Sequence, residues 1–219
     1  MSSTHRLKTQ RLEAKDDYPT PPALASACIK VLIADGWIRS PEATRVLEPS
    51  CGRGAWVRAM IAQGFDPESV YVNDIREEAV RACPAAIPKG NRSAIDFLLM
   101  GQQNFGSSYF DLVAGNPPFS DTGAHIEAGM DVLAANGILA YLLQLNWFTA
   151  RGKEDSRIRW IWGLGRPSHF YLISPRPSFT EGGTDSGAYC LAVWAPGTRG
   201  RDTTFSMLDW AKDRDEWSE

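Results

Sequence analysis

Three short apolar segments in this chain each break off into residues that no strand or helix interior selects, and this pattern constrains the fold most. Thr44-Arg45-Val46-Leu47 breaks at Glu48-Pro49-Ser50-Cys51-Gly52-Arg53-Gly54, and Val70-Tyr71-Val72 ends at Asn73-Asp74. Phe110-Asp111-Leu112-Val113-Ala114 ends at Gly115-Asn116-Pro117-Pro118-Phe119. Helical patterns lie before, between and after them. Pro21-Pro22 opens a helix in which Leu24, Cys28, Val31 and Leu32 recur at helical spacing until Gly36. Val57, Met60 and Ile61 share a face before Gly64, and Ile126, Met130 and Leu133 mark a further helix. The strongest strand candidate, Gly137 to Leu145, follows; then come a basic helix from about Arg151 to Trp162 and strands at His169–Ile173 and Ala188–Trp194. Apolar strands alternating with amphipathic helices predict an α/β fold, a mostly parallel sheet with helices on both faces. Such sheets bind ligands in the crevice at the carboxyl ends of their strands. The unusual residues, Glu48 to Gly54, Asp74, Asp96 and Asn116 to Phe119, stand at those ends.

Composition narrows the class. The chain has 219 residues, enough for a sizeable core in one domain. Its longest strongly apolar stretch, Ile138 to Leu145, is too short to cross a bilayer, and no membrane association is expected. The polar start, MSSTHRLKTQRLEAK, lacks the apolar core of a secretory signal. Four cysteines (Cys28, Cys51, Cys83, Cys190) without close pairs, and three histidines, argue against a zinc site or a disulfide framework. No metal site and a reducing cytoplasmic setting, a host's if phage-encoded, are therefore expected. A net charge of −3 excludes a globally basic nucleic-acid coat, but the charge is uneven. Arg151, Lys153, Arg157, Arg159, Arg166 and Arg176 face only Glu154 and Asp155 across 151–176, a local +4 that suits a phosphate backbone or a solvated loop.

Each strand end admits a ligand-binding and a structural reading. Gly52-x-Gly54 allows a tight turn and close backbone approach to a ligand, yet a dinucleotide fingerprint wants glycine where Val57 stands. Asp74, 20 residues beyond Gly54, can accept from both hydroxyls of a ribose or cap the helix beginning near Arg76. Asp96 before Phe97 can accept from an exocyclic amine beside an apolar cover, or be a loop acid. Asn116-Pro117-Pro118-Phe119 is the most telling. Two prolines rigidify the carbonyls, Asn adds a side-chain carbonyl, and Phe adds a flat face. Two fixed acceptors beside an aromatic suit an amino group attached to a planar ring.

On these residues the chain resembles the S-adenosylmethionine-dependent amino-methyltransferases, specifically the DNA adenine-N6 type, from about Asp17 to Trp194. The resemblance implies a Rossmann-like class I methyltransferase fold with a seven-stranded sheet. It implies a polar segment 1–16, one catalytic domain 17–195, and a polar acidic tail 196–219. Tyr18-Pro19-Thr20-Pro21 resembles the family's N-terminal motif, which contacts the methionine part of the cofactor. Glu48, Pro49, Ser50, Cys51, Gly52 and Gly54 resemble its first cofactor loop. Asp74, followed by Ile75, matches the ribose-binding acid, and Asp96-Phe97 matches the adenine-binding pair. Asn116 to Phe119 match the catalytic tetrapeptide, with Asn116 also beside the cofactor. Arg176-Pro177-Ser178-Phe179 resembles, more loosely, the loop that offers an aromatic to a flipped base.

The resemblance implies direct methyl transfer, with Asn116 and the Pro117 carbonyl accepting from the target amine. A base in a duplex must be flipped out to be reached, with Phe119 and Phe179 to stack on it. Arg151, Arg157, Arg159 and Arg176 are the expected contacts to DNA. Only 19 residues separate Asp96 from Asn116, leaving no room there for a separate target-recognition domain. Short or relaxed specificity is therefore expected, from the loops at 146–168 and 174–187 or from a second subunit, and a homodimer stays open. The same tetrapeptide serves RNA adenine-N6, RNA guanine-N2 and protein-glutamine methyltransferases, and a non-catalytic cofactor-binding subunit is a further alternative. A nicotinamide oxidoreductase is disfavoured by Val57 and the Asn-Pro-Pro-Phe segment. A C5-cytosine mechanism lacks its Pro-Cys nucleophile, since the order here is Cys83-Pro84.

Overall fold

A computed structural model of the chain describes residues 18–105, 108–149, 165–179, 187–198 and 202–213. Its strands are β1 (Val46–Glu48), β2 (Val70–Asn73), β3 (Arg92–Ser93), β4 (Phe110–Gly115), β5 (Leu133–Gln144), β6 (His169–Ser174), β7 (Tyr189–Trp194) and β8 (Thr204–Asp209). The helices are α1 (Pro22–Ala34), α2 (Ala55–Ala62), α3 (Glu77–Ala82), α4 (Phe97–Phe105) and α5 (Thr122–Asp131). All eight strands form one sheet in the order β3-β2-β1-β4-β5-β7-β6-β8. Every pairing is parallel except those of β7 with β5 and β6.

Burial on both faces explains the apolar strand runs. In β4, Leu112 and Ala114 point to one layer, and Phe110 and Val113 to the other. In β5, Ile138, Ala140 and Leu142 alternate with Leu139, Tyr141 and Leu143 in the same way. The first layer is closed by α1 and α2 through Leu24, Ile29, Leu32, Val57 and Met60; the second includes Phe97 of α4 and Ile126 of α5. Proline at the first positions starts α1, and Gly36 at φ +75° follows its end. Trp37 Nε1 donates to Tyr171 Oη (2.8 Å), which donates to Asp35 Oδ2 (2.6 Å), tying the end of α1 to β6.

Three local expectations change. Leu133 opens β5 instead of closing the preceding helix, and β5 bulges before settling against β4 at Leu112↔Ile138. Gly137 sits at that bulge because a Cβ there would lie 2.6 Å from the Phe110 carbonyl oxygen. The sheet has eight strands where seven were expected: β8 lies inside 196–219, read from the sequence as tail. It pairs with β6 from His169↔Thr204 to Ser174↔Asp209 and brings Leu208 and Trp210 into the core. The expected basic helix and the segment 1–16 lie outside the described residues. Among the described residues, no helix is long and apolar enough to cross a membrane.

Candidate active site

The strand ends of β1, β2 and β4 and the segment after β3 open into one cleft. Tyr18, Thr20, Pro49, Ser50, Cys51, Gly52, Asp74, Ile75, Asp96, Phe97, Asn116 and Pro118 line it. Twelve residues from five separate stretches of sequence therefore meet at one place.

The floor is the turn after β1. Gly52 (φ +49°) and Gly54 (φ +77°) occupy the left-handed region that side chains disfavour. The Gly54 amide donates to the Cys51 carbonyl (2.7 Å), closing the turn ahead of α2. Cys51 is buried, and its hydrogen bond with the Cys83 thiol, together with burial, pushes its own thiol far up. Neither thiol is in a disulfide.

Asp74 stands at the end of β2, 5% exposed. Its Oδ2 accepts from the Gly52 amide (2.9 Å), and its Oδ1 from the Arg76 amide (3.0 Å). The Arg76 guanidinium adds Nε to Oδ1 (3.0 Å) and Nη2 to Oδ2 (3.4 Å). The carboxylate thus both caps the turn before α3 and faces the cleft. Asp96 Oδ1 accepts from the Leu98 amide (3.1 Å) at the start of α4, while Phe97 is buried with its ring 6.2 Å from that of His125.

Asn116 follows β4. Its Nδ2 donates to the Tyr18 carbonyl (3.1 Å), which turns Oδ1 the other way; Oδ1 is buried without a hydrogen-bond partner among the described residues. Such a buried acceptor is costly unless a ligand or water satisfies it. Glu48, one residue before Pro49, is 1% exposed, with Oε1 accepting from the Ser50 amide (3.3 Å) and Oε2 unpartnered among the described residues. Burial first, then the negative fields of Cys83 and Asp74, raise its carboxyl well above the usual range despite the Ser50 bond. It does not line the cleft; it packs against Gly115, where a Cβ would lie 2.1 Å from Oε1.

Beside Asn116 an aromatic wall forms. Half-buried Phe119 lies 5.4 Å from the Tyr18 ring at 30°, 6.0 Å from Tyr189 and 6.5 Å from Phe179, the last edge-on at 84°. Phe179 is buried against Tyr189 at 4.8 Å, so it supports Phe119 from the core side. Arg176 is exposed in the loop after β6. Arg151, Arg157 and Arg159 lie outside the described residues.

Several site residues escaped the sequence reading. Asn73, 1% exposed, donates from Nδ2 to the Pro49 and Ile95 carbonyls (3.0 and 3.2 Å) and accepts the Ile95 amide on Oδ1 (3.2 Å). One amide side chain therefore clamps three strand ends. Trp56 Nε1 donates to Thr20 Oγ1 (3.2 Å), holding the Tyr18–Thr20 strip at the cleft, and Asp121 of the β4–α5 connection and His125 of α5 also reach it. No pattern in the chain singles these out. Their roles arise only when the strand ends converge.

A scan against protein-family models finds no match, and no curated protein matches the chain in sequence. Solved structures do match. The methyltransferase subunit of a type I restriction-modification system from Streptococcus thermophilus aligns over 88% of this chain and 48% of its own, with TM-score 0.67 and 15% identity. A putative RNA methyltransferase from Pyrococcus horikoshii aligns over 81% and 86%, with TM-score 0.58 and 15% identity. Magnesium protoporphyrin IX methyltransferase from Synechocystis, solved with bound SAM (S-adenosylmethionine), aligns over 80% and 79%, with TM-score 0.50 and 18% identity. The chain spans about half the length of the restriction-modification subunit. With the antiparallel β7 set between β5 and β6 in an otherwise parallel sheet, the chain has the α/β, Rossmann-like class I methyltransferase fold.

Proposed function

We propose that this chain transfers a methyl group from S-adenosylmethionine to the exocyclic N6 amine of adenine in DNA, with short or relaxed sequence specificity. The observation that carries the reading is Asn116 Oδ1, a buried acceptor without a partner among the described residues, set between an open glycine turn and an aromatic wall.

The cleft fits the cofactor. Gly52 and Gly54 leave the backbone of the first turn bare, Asp74 presents a carboxylate to a ribose, and Ile75, Asp96 and Phe97 line the side where adenine would lie. Tyr18, Thr20 and Pro21 belong to the strip that Trp56 holds through Thr20, where the methionine part would rest. Bound there, S-adenosylmethionine supplies an electrophilic methyl group.

The chain's own residues do the remainder. Asn116 Oδ1 accepts one N–H of the target amine, and the Pro117 carbonyl, rigid between two prolines, accepts the other. Both draw the nitrogen lone pair out of conjugation and stabilise the positive charge it acquires. Phe119 offers a face on which the ring stacks, held from behind by Tyr189 and Phe179. Stacking of this kind is worth about 1–3 kcal/mol per base, comparable with the cost of flipping it out. Phe119 in the fourth motif position, where protein-glutamine enzymes usually carry Tyr, favours nucleic acid over protein, and likeness to a restriction-modification subunit supports the choice of DNA.

Incubation with methyl-labelled S-adenosylmethionine and, in separate reactions, unmethylated duplex DNA, RNA and protein, with the nucleic acids digested to nucleosides, tests the reading. N6-methyladenine made by the wild type and lost in Asn116→Ala is the expected result. Label in RNA or protein but not in DNA overturns the DNA assignment and retains amine methylation. Absence of both labelling and cofactor binding overturns the proposal entirely.

A further inference from the structure

This inference rests on reading the cleft as an S-adenosylmethionine site and concerns how the ribose gains access to it. A carboxylate offers about four lone-pair positions, two on each oxygen. In Asp74 all four are taken: Arg76 N–H and Nε on Oδ1, and Gly52 N–H and Arg76 Nη2 on Oδ2. No position is left for a ribose hydroxyl. For a diol to bind, some donor must leave. The Gly52 and Arg76 amides are held by the chain on either side, Gly52 by its glycine turn and Arg76 by the start of α3. The guanidinium sits on a flexible side chain and makes the longest of the four bonds, 3.4 Å. It also lies in the ligand's path, since it lines the cleft with Nη2 3.9 Å from where a Cβ on Gly52 would be. Its side chain is only 21% exposed. Finally, two parallel N–H groups on one carboxylate match in shape and donor count the two adjacent O–H groups of a ribose.

We propose that Arg76 is an internal placeholder for the cofactor's ribose: its forked guanidinium occupies Asp74 in the free protein and is displaced by the 2′,3′-diol. Arg76 is on this account a positioning residue that keeps the Asp74 carboxylate aimed and satisfied until the cofactor arrives. The displacement also subtracts from cofactor affinity and makes the site discriminate on the diol.

Calorimetric titration of the full chain tests this with S-adenosylmethionine, 5′-methylthioadenosine and 2′,3′-dideoxy-5′-methylthioadenosine. Arg76→Gln cannot make the charged fork and should bind 5′-methylthioadenosine roughly three- to tenfold tighter than wild type, while the dideoxy ligand binds both proteins equally. Arg76→Lys, a point charge that cannot fork, should fall between them and, with circular dichroism, confirms that the fold persists. Weaker or unchanged binding of the diol ligand by Arg76→Gln overturns the placeholder role and leaves the guanidinium as a support for Asp74. An equal gain for the dideoxy ligand overturns it too, because the gain then owes nothing to the diol. If wild type and both variants bind none of the three ligands, the cofactor reading itself falls and takes the inference with it.

Discussion

Gly115 precedes the tetrapeptide, and the side chain it lacks is the one the buried Glu48 carboxyl requires it to lack. In Gly115→Ala the new methyl would stand 2.1 Å from Glu48 Oε1, 2.7 Å from Cδ and 3.0 Å from Oε2. The backbone of Gly115 lies outside the left-handed region, so the cost is packing and not strain. Glu48 must move, but it is 1% exposed with core on every side, and its Oε1 is tied to the Ser50 amide. Overpacking of this kind costs about 1–3 kcal/mol, and loss of the Ser50 bond adds about 1 kcal/mol, for a total of about 2–4 kcal/mol. For a chain of this size that lowers Tm by roughly 5–15 °C. Differential scanning calorimetry reads the shift. A double-mutant cycle assigns its cause: in a Glu48→Ala background the same Gly115→Ala change should cost less than about 1 kcal/mol, because the obstructing carboxyl is gone. A Tm within a degree of wild type, or an equal loss in both backgrounds, would refute the reasoning.

Further outcomes follow from other parts of the frame. Burial lifts the Glu48 carboxyl well above its usual 4.5, so the folded chain holds that proton more tightly than the unfolded chain. The stabilisation is complete below the unfolded value and is lost as pH rises toward the folded one. Glu48→Gln cannot ionise, so its Tm relative to wild type should rise with pH; parallel Tm–pH profiles would show that Glu48 titrates normally. Asn73→Ala removes three hydrogen bonds between strand ends and should cost about 2–4 kcal/mol in urea unfolding while speeding amide exchange at Ile95; unchanged protection there would dispose of the clamp. Truncation after residue 203 removes β8 with buried Leu208 and Trp210, whose Nε1 donates to the Pro175 carbonyl (2.6 Å). The loss of Trp210 alone is worth about 3–5 kcal/mol, so a truncated chain melting like wild type would return the segment to the status of a tail.

What the sequence made legible follows from burial. β1, β2, β4, β5, β6 and β7 lie inside the sheet, so their runs are apolar on both faces and stand out against any neighbour. β3 and β8 are at the edges and do not. β3 is two residues, Arg92 and Ser93, positioned by the Arg92 guanidinium, which donates to the Val80, Pro84 and Ile87 carbonyls. β8 buries only Leu208 of its six side chains and leaves Phe205 and Met207 exposed, so its pattern merges into the acidic stretch that follows. At the site, glycines, prolines and acids were visible because their chemistry is unusual wherever they occur. Asn73, Trp56 and His125 are ordinary residues brought to the cleft by convergence of segments far apart in sequence.

Asp74 shows why the two kinds of reading were never true rivals. From the sequence it was either a helix cap or a ribose acceptor. In the structure it caps no helix, since Arg76 holds the N-cap position of α3 without a side-chain capping bond. It accepts instead from the Gly52 and Arg76 amides of two turns, and these bonds hold its carboxylate toward the cleft. A charged group at the end of a buried strand needs backbone donors to be tolerated there at all. Those donors fix its direction, and a ligand then needs only to replace whatever remains movable. At Asp74 the movable part is the Arg76 guanidinium, so the structural role of the residue determines how its binding role is exercised.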